Sequence, residues 1–336
     1  MENNHDLLQV LTREGVLLSV SVSYWRGCKK LKPEDLGLSA SKVSDRLISL
    51  GHKRLLPKDA TASLALIEGR AHALVEGNTF PFLNGLAHFV PNTKLAEVTG
   101  KLKELEHEFW QAKATFIERY GALRESAAQE WQAMAKQLVS DPERLVASIE
   151  AAFPPAGRMD RFFGFDTQLF QIAVPDRLGL DMLALGDQEQ LIQARQQAAQ
   201  AAAQKIRSDV ETFVSDCVAT LREQTAALCQ DMLESINTCE TGVHQKTLNR
   251  LVKFIEQFKP MNFVNDQEMD QQLEAVRKEL LTKTAEEYRD SSKARNQLVT
   301  GLSQLRDTAK RLATQDAVEL VQRFGEMGRR KFHLTA

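Results

Sequence analysis

Residues 161–175 read RFFGFDTQLFQIAVP, and how they fold decides how the rest of the chain is arranged. Phe, Ile and Val dominate, apolar and polar positions alternate, and Pro or Gly bounds the run on both sides, the local signature of a β-strand. The sequence before and after it has the period of long helices. A lone strand is unstable and a two-stranded pair needs an apolar surface beneath it. The expected partner is residues 15–25, GVLLSVSVSYW, where Leu18, Val20, Val22 and Tyr24 face one way and Ser19, Ser21 and Ser23 the other. No other stretch is as strong a strand. The two therefore predict an antiparallel pair that caps the ends of helices.

Outward from that pair the chain reads as helix. Leu102, Leu105, Phe109, Ala112, Phe116, Tyr120, Leu123, Ala127, Trp131, Met134 and Leu138 recur every 3.6 residues on average, the period of an amphipathic helix. Asp141 and Pro142 end or kink it. A second long helix is expected behind an Asp187 cap, with a seam through Leu191, Ala194, Ala198, Ala202, Ile206, Val210, Phe213, Cys217, Leu221, Leu228, Met232 and Ile236. Gly242 should bend it, and Pro260 should end a shorter piece. Asn265 with Glu268 has the form of a capping box. A last long helix from Met269 should follow, in which Leu298, Leu302, Leu305, Ala309 and Leu312 form a heptad seam. GNTFPFLNGLAHFVPNTK, residues 77–94, reads as a loop whose Phe side chains pack inward.

The expected fold is mainly α: an elongated bundle of long antiparallel coiled-coil-like helices with a small two-stranded β element at a head region. Four segments follow: 1–100 for the N-terminal strand and small head, 101–160 for a long helix, 161–186 for the strand and its cap or tongue, and 187–336 for the long helical region. A 50-residue helix spans about 75 Å, whereas a compact chain of this length has a radius of gyration of about 20 Å.

Charge and motif content narrow the chemistry. Net charge is −2, from 43 basic and 45 acidic residues, so no global field favours nucleic acid or an anionic membrane. Basic residues gather only locally, at Lys29, Lys30 and Lys32 and at Arg329, Arg330 and Lys331. No phosphate-binding glycine loop, zinc-protease helix or nucleophile elbow occurs. Cys28, Cys217, Cys229 and Cys239 form no CxxC pair and suit buried thiols in a reducing cytosol. No apolar run reaches the eighteen or more residues of a membrane helix. Neither a cofactor nor a metal is expected, and the reading is of a cytoplasmic protein that is not an enzyme.

Five stretches in order, SYWRGCKKLKPEDLGL, LGHKRLLPKDA, the Phe/Gly segment, EFWQAKATFIERYGALRESAAQEW and FFGFDTQLFQIAVP, resemble domain-of-unknown-function family 3150 of phages and integrative conjugative elements. Trp25, Gly27, Lys29, Lys30 and Leu31, with Arg119, Tyr120 and Trp131, carry the resemblance. It implies genomic company beside a MoxR-type AAA+ ATPase and a von Willebrand factor A protein similar to a cobaltochelatase subunit, and it supplies no catalytic residue.

The expected function is a helical scaffold or adaptor for such an assembly. A membrane-active protein resembling α-pore-forming toxins, with a tongue at 162–185, is the alternative; Asp166, Asp176, Arg177 and Asp181 interrupt that run at about 3 kcal/mol or more per charge buried in lipid. Nucleic-acid binding through the basic knots is the third reading. Packing on the other long helices is the first reading of the heptad leucines; otherwise they join Leu320, Val321, Phe324 and Met327 in a surface for a partner or a second copy, with Arg329, Arg330 and Lys331 steering the encounter.

Overall fold

Alternation at residues 15–25 produces strand β1 (Gly15–Ser23), and residues 161–175 contribute β6 (Gly164–Phe170). The computed structural model describes residues 3–36, 50–173, 189–238, 242–314 and 317–332, with the side chains of 3–6, 189–192, 195–196, 318 and 327–332 outside that description. The two strands are neighbours as expected, and Ser23 Oγ lies 2.9 Å from where a Cβ on Gly164 would stand. They are not alone. The sheet has four strands in the order β4-β5-β1-β6, with β4 at Phe80–Phe82 and β5 at Ala87–Pro91. The Phe-rich segment expected as a loop is thus a hairpin.

Its strands are too short for a period to show in sequence. Pro81 is tolerated because β4 is an edge strand, where a missing N–H leaves no ladder bond unmade. Leu83, Asn84 and Gly85 turn the chain with φ of 46°, 56° and 83°. Phe80, Phe82, Ala87 and Phe89 are all buried. β5 runs antiparallel to β1 with Gly15 opposite Pro91 and Leu18 opposite His88. Glycine is required at 15, since a Cβ there would stand 2.4 Å from the Phe89 ring and from the Val90 carbonyl.

The chain divides into two compact units, and the division runs through β1. Unit 1 comprises Met1–Leu18, Asn78–Ala96 and Leu169–Ala336. Its axis is α5 (Glu189–Thr238), a 50-residue helix, with α9 (Ser292–Thr314) packed along it. Val210, Phe213, Val214, Cys217, Val218 and Leu221 begin its buried stripe. Ala194 and Ala198, placed on the seam from sequence, are exposed; Ala199 is buried instead. Asp187 lies outside the described residues.

The last long helix expected from sequence is three pieces, α7 (Gln267–Leu280), α8 (Ala285–Asp290) and α9. Thr284 breaks the run with a capping box: its hydroxyl accepts from Glu287 N–H, and the Glu287 carboxylate accepts from Thr284 N–H. The box expected at Asn265 is absent. Asn265 takes φ 62°, and its neighbour Asp266 caps α7 by accepting from Met269 N–H. α6 (Gln245–Met261) follows the bend at Gly242 (φ 79°) and carries Pro260 inside its last turn.

Buried Arg222 ties three helices together. It donates to Asp266 Oδ2 at 2.7 Å, at the start of α7, and to the Leu312 carbonyl at 2.7 Å, near the end of α9. Cys217 and Cys229 are buried free thiols; burial pushes both up in pKa, Cys229 to about 12. Cys239 lies outside the described residues.

Unit 2 comprises Ser19–Gly77 and Glu97–Gln168. It holds most of α3 (Asn92–Leu138), whose buried stripe of Leu102, Leu105, Phe109, Phe116, Tyr120 and Ala127 matches the sequence period. Further along the periodicity no longer maps onto burial: Met134 and Leu138 are 46% and 60% exposed, and Ala135 is buried. Among the described residues its other α-helices are α2 (Ala62–Glu76) and α4 (Pro142–Ala152), the latter capped by Asp141, which accepts from Arg144 N–H. In the described half of the expected tongue, Phe163 and Phe165 are buried against Phe116 and Phe109, with centroids 5.7 Å apart in both pairs. Residues 174–188 lie outside the described residues.

Candidate interaction surface

The residues that carry the family resemblance all lie in unit 2. Trp25, at the exit of β1, is buried with its ring 6.2 Å from Phe116, 5.7 Å from Tyr120 and 6.1 Å from Phe153. Tyr120 donates its hydroxyl to the Pro154 carbonyl at 2.7 Å, so the aromatic cluster joins α3 to the segment after α4. Burial and the lost solvation of its anion push the Tyr120 pKa up. Gly27 then reverses the chain with φ 61°, a left-handed conformation that glycine adopts without strain. Beyond it β2 (Cys28–Lys30) pairs antiparallel with β3 (His52–Arg54): Cys28 lies opposite Arg54, Lys29 opposite Lys53, and Lys30 opposite His52.

Two backbone bonds and one indole bond hold this ribbon. Leu55 N–H donates to the Gly27 carbonyl at 2.6 Å and Leu31 N–H to the Gly51 carbonyl at 3.0 Å. Trp131, on α3, donates its indole N–H to the Arg54 carbonyl at 2.9 Å. Arg119 is exposed on α3 and enters none of these contacts.

One residue of the ribbon points inward. Lys53 is 7% exposed; its Nζ lies 2.8 Å from Asp35 Oδ1 and donates to Ser148 Oγ at 2.9 Å. Ser148 donates its hydroxyl to Asp35 Oδ1 at 2.7 Å, and Lys32 N–H donates to Oδ2 at 2.9 Å. Burial alone would raise the Asp35 pKa, but the bonds from Lys53, Lys32 and Ser148 outweigh it and hold the carboxyl below its ordinary value. Serine beside lysine invites comparison with a Ser–Lys nucleophile pair. The wiring here serves another end: the ammonium is engaged by a carboxylate, and the hydroxyl proton points at that carboxylate rather than at a free base. The cluster clamps β3 to α4 and to the 3-10 turn Pro33–Leu36.

The partner surface expected from sequence is placed differently. Leu298, Leu302, Leu305 and Leu312 are at most 1% exposed, and the seam packs on α5 inside unit 1. Phe324, on α10 (Val318–Phe332), is fully buried beside Phe263, 5.6 Å between centroids, while Leu320 and Val321 pack on the same core. The side chains of Met327, Arg329, Arg330 and Lys331 lie outside the described residues. α10 packs against α1 (Asn3–Glu14), whose Leu7, Leu8, Val10 and Leu11 are buried. The N-terminal segment looks acidic and polar at its start, so its apolar face, which supplies the terminal stripe with a partner, is easy to miss.

Among the described residues, no helix is long and apolar enough to cross a membrane, and no group of three or more His, Cys, Asp or Glu is placed to hold a metal ion. The model of the family described as protein of unknown function (DUF3150) matches residues 12–307. The chain belongs to the DUF3150 family. The DUF3150 match begins within α1 and ends within α9, so it takes in the aromatic cluster, the ribbon and the Lys53 clamp and leaves α10 outside. No curated protein and no solved structure matches the chain.

Proposed function

We propose that the protein is a non-enzymatic, cytoplasmic helical scaffold or adaptor of a mobile-element-encoded assembly, working with a MoxR-type AAA+ ATPase and a von Willebrand factor A partner. The observation that carries this reading is the pair of helices of 47 and 50 residues, roughly 70 and 75 Å long, which are exposed along one side. Helices of such length offer extended polar faces to several proteins at once. The partners follow from the family resemblance. In this reading the long helices form an elongated, coiled-coil-like bundle.

Co-expression of the three proteins tests it. Affinity purification through the von Willebrand factor A protein should retain this chain and the ATPase together, with retention changing between ATP and ADP. A chain that purifies alone under both nucleotides would refute the assignment. Small-angle scattering that returns a radius of gyration near the compact value of about 20 Å would refute the elongated bundle.

A further inference from the structure

We propose that the β2–β3 ribbon binds the phosphate backbone of a nucleic-acid duplex, a role beyond the scaffold reading and independent of it. Strand pairing sets basic residues against one another: Lys30 faces His52, and Lys29 faces Lys53. Lys53 is neutralised from within by Asp35. Lys29, Lys30 and Arg54 are exposed, as are Lys32 and Lys58 beside them. Among the described residues none of these five cations pairs with a carboxylate, although Glu34 and Asp59 are close in sequence.

Side chains two apart along a strand share a face. Cys28 and Lys30 therefore share one face with His52 and Arg54, the opposite face from that through which Lys53 enters the core. That face offers no apolar seat beyond Cys28, which argues against an acidic peptide anchored by hydrophobic side chains. A two-stranded ribbon fits a DNA major groove about 12 Å wide. The ribbon is also prearranged: Trp131, the Gly27 turn and the Lys53 clamp fix it before any ligand arrives, so little ordering is needed on binding. The net charge of −2 does not oppose this, because at physiological salt charges more than about 8 Å away are largely screened.

The test is fluorescence anisotropy of a labelled mixed-sequence DNA duplex of about 30 bp, three helical turns, titrated with the full chain at increasing NaCl. With two to four phosphate contacts, from Lys30, Arg54 and the flanking Lys32 and Lys58, the slope of log K against log salt should be about −1.8 to −3.6. K30A and R54A should each make that slope shallower by about 1, and K30A/R54A by about 2. K30R/R54K keeps the charge and should keep the slope, which separates charge from any disturbance of the fold. K246A/K253A removes two exposed lysines of α6 in unit 1 and should leave the slope unchanged. The proposal is overturned by a wild-type chain with no salt-dependent binding, by an unchanged slope in K30A/R54A, or by an equal loss in K246A/K253A. Tighter binding of polyglutamate than of the duplex would overturn it in favour of an acidic protein partner.

Discussion

Replacing Asp266 with Ala should be among the most damaging single changes in unit 1. Arg222 and Asp266 are 5% and 3% exposed, and the carboxylate holds both the guanidinium and the first turn of α7. Removing one partner of a buried pair leaves the other charge uncompensated, at about 3–5 kcal/mol. Loss of the cap adds about 1 kcal/mol. Asp266→Asn should cost about 1 kcal/mol less than Asp266→Ala, because asparagine caps a helix as well as aspartate does. The double change R222M/D266N removes both charges and should recover most of the loss, less about 1 kcal/mol for the Leu312 carbonyl left without its donor. Urea unfolding followed by far-UV circular dichroism is the assay. Tryptophan fluorescence is unsuitable, since Trp25, Trp110 and Trp131 all lie in unit 2. The expected order of stability is wild type, R222M/D266N, D266N, D266A. A D266A protein within about 1 kcal/mol of wild type would show that the pair is not buried as described, and a double variant weaker than D266N would refute the charge argument.

Three further outcomes follow from particular contacts. Phe324→Ala should cost about 3–5 kcal/mol and a deletion from Leu320 onward at least as much, because the ring is fully buried; an unchanged melting temperature for either would return the terminal stripe to the surface. Gly15→Ala should destabilise by about 1–3 kcal/mol, since its methyl meets the Val90 backbone as well as the Phe89 ring, and denaturant melts showing no loss would contradict the close β1–β5 approach. The lowered Asp35 pKa gives a pH signature: its stabilisation is fully present above the unfolded carboxylate value of about 3.9 and is lost as pH falls through the lower folded value. Wild type should therefore lead Asp35→Asn in stability at neutral pH, with the gap closing on acidification below about pH 4; a gap independent of pH would rule out the ionised clamp.

Long-range periodicity was the legible part of this protein. The stripe from Leu102 to Ala127, the seam from Val210 to Ile236 and the heptad of Leu298 to Leu312 all bury as their spacing requires, because a helix that repeats every 3.6 residues places such residues on one face whatever it packs against. The same holds for the β1–β6 pairing, where two strongly alternating segments had few other ways to satisfy their backbone groups. What the stripes pack against was settled only in three dimensions. Phe324 has the same amphipathic surroundings whether it meets a second protein or α1, and the buried face of α1 decides for the interior. β4 and β5 are three and five residues long, too short to show a period, and depend on β1 for their register. Lys53, Asp35 and Ser148 come from three distant segments, with 113 residues separating Asp35 from Ser148. Lys53, turned inward to a carboxylate, and Lys30, exposed on the opposite face of the ribbon, are chemically identical in sequence. Only the strand register and the position of Asp35 separate the buried clamp from the exposed basic face.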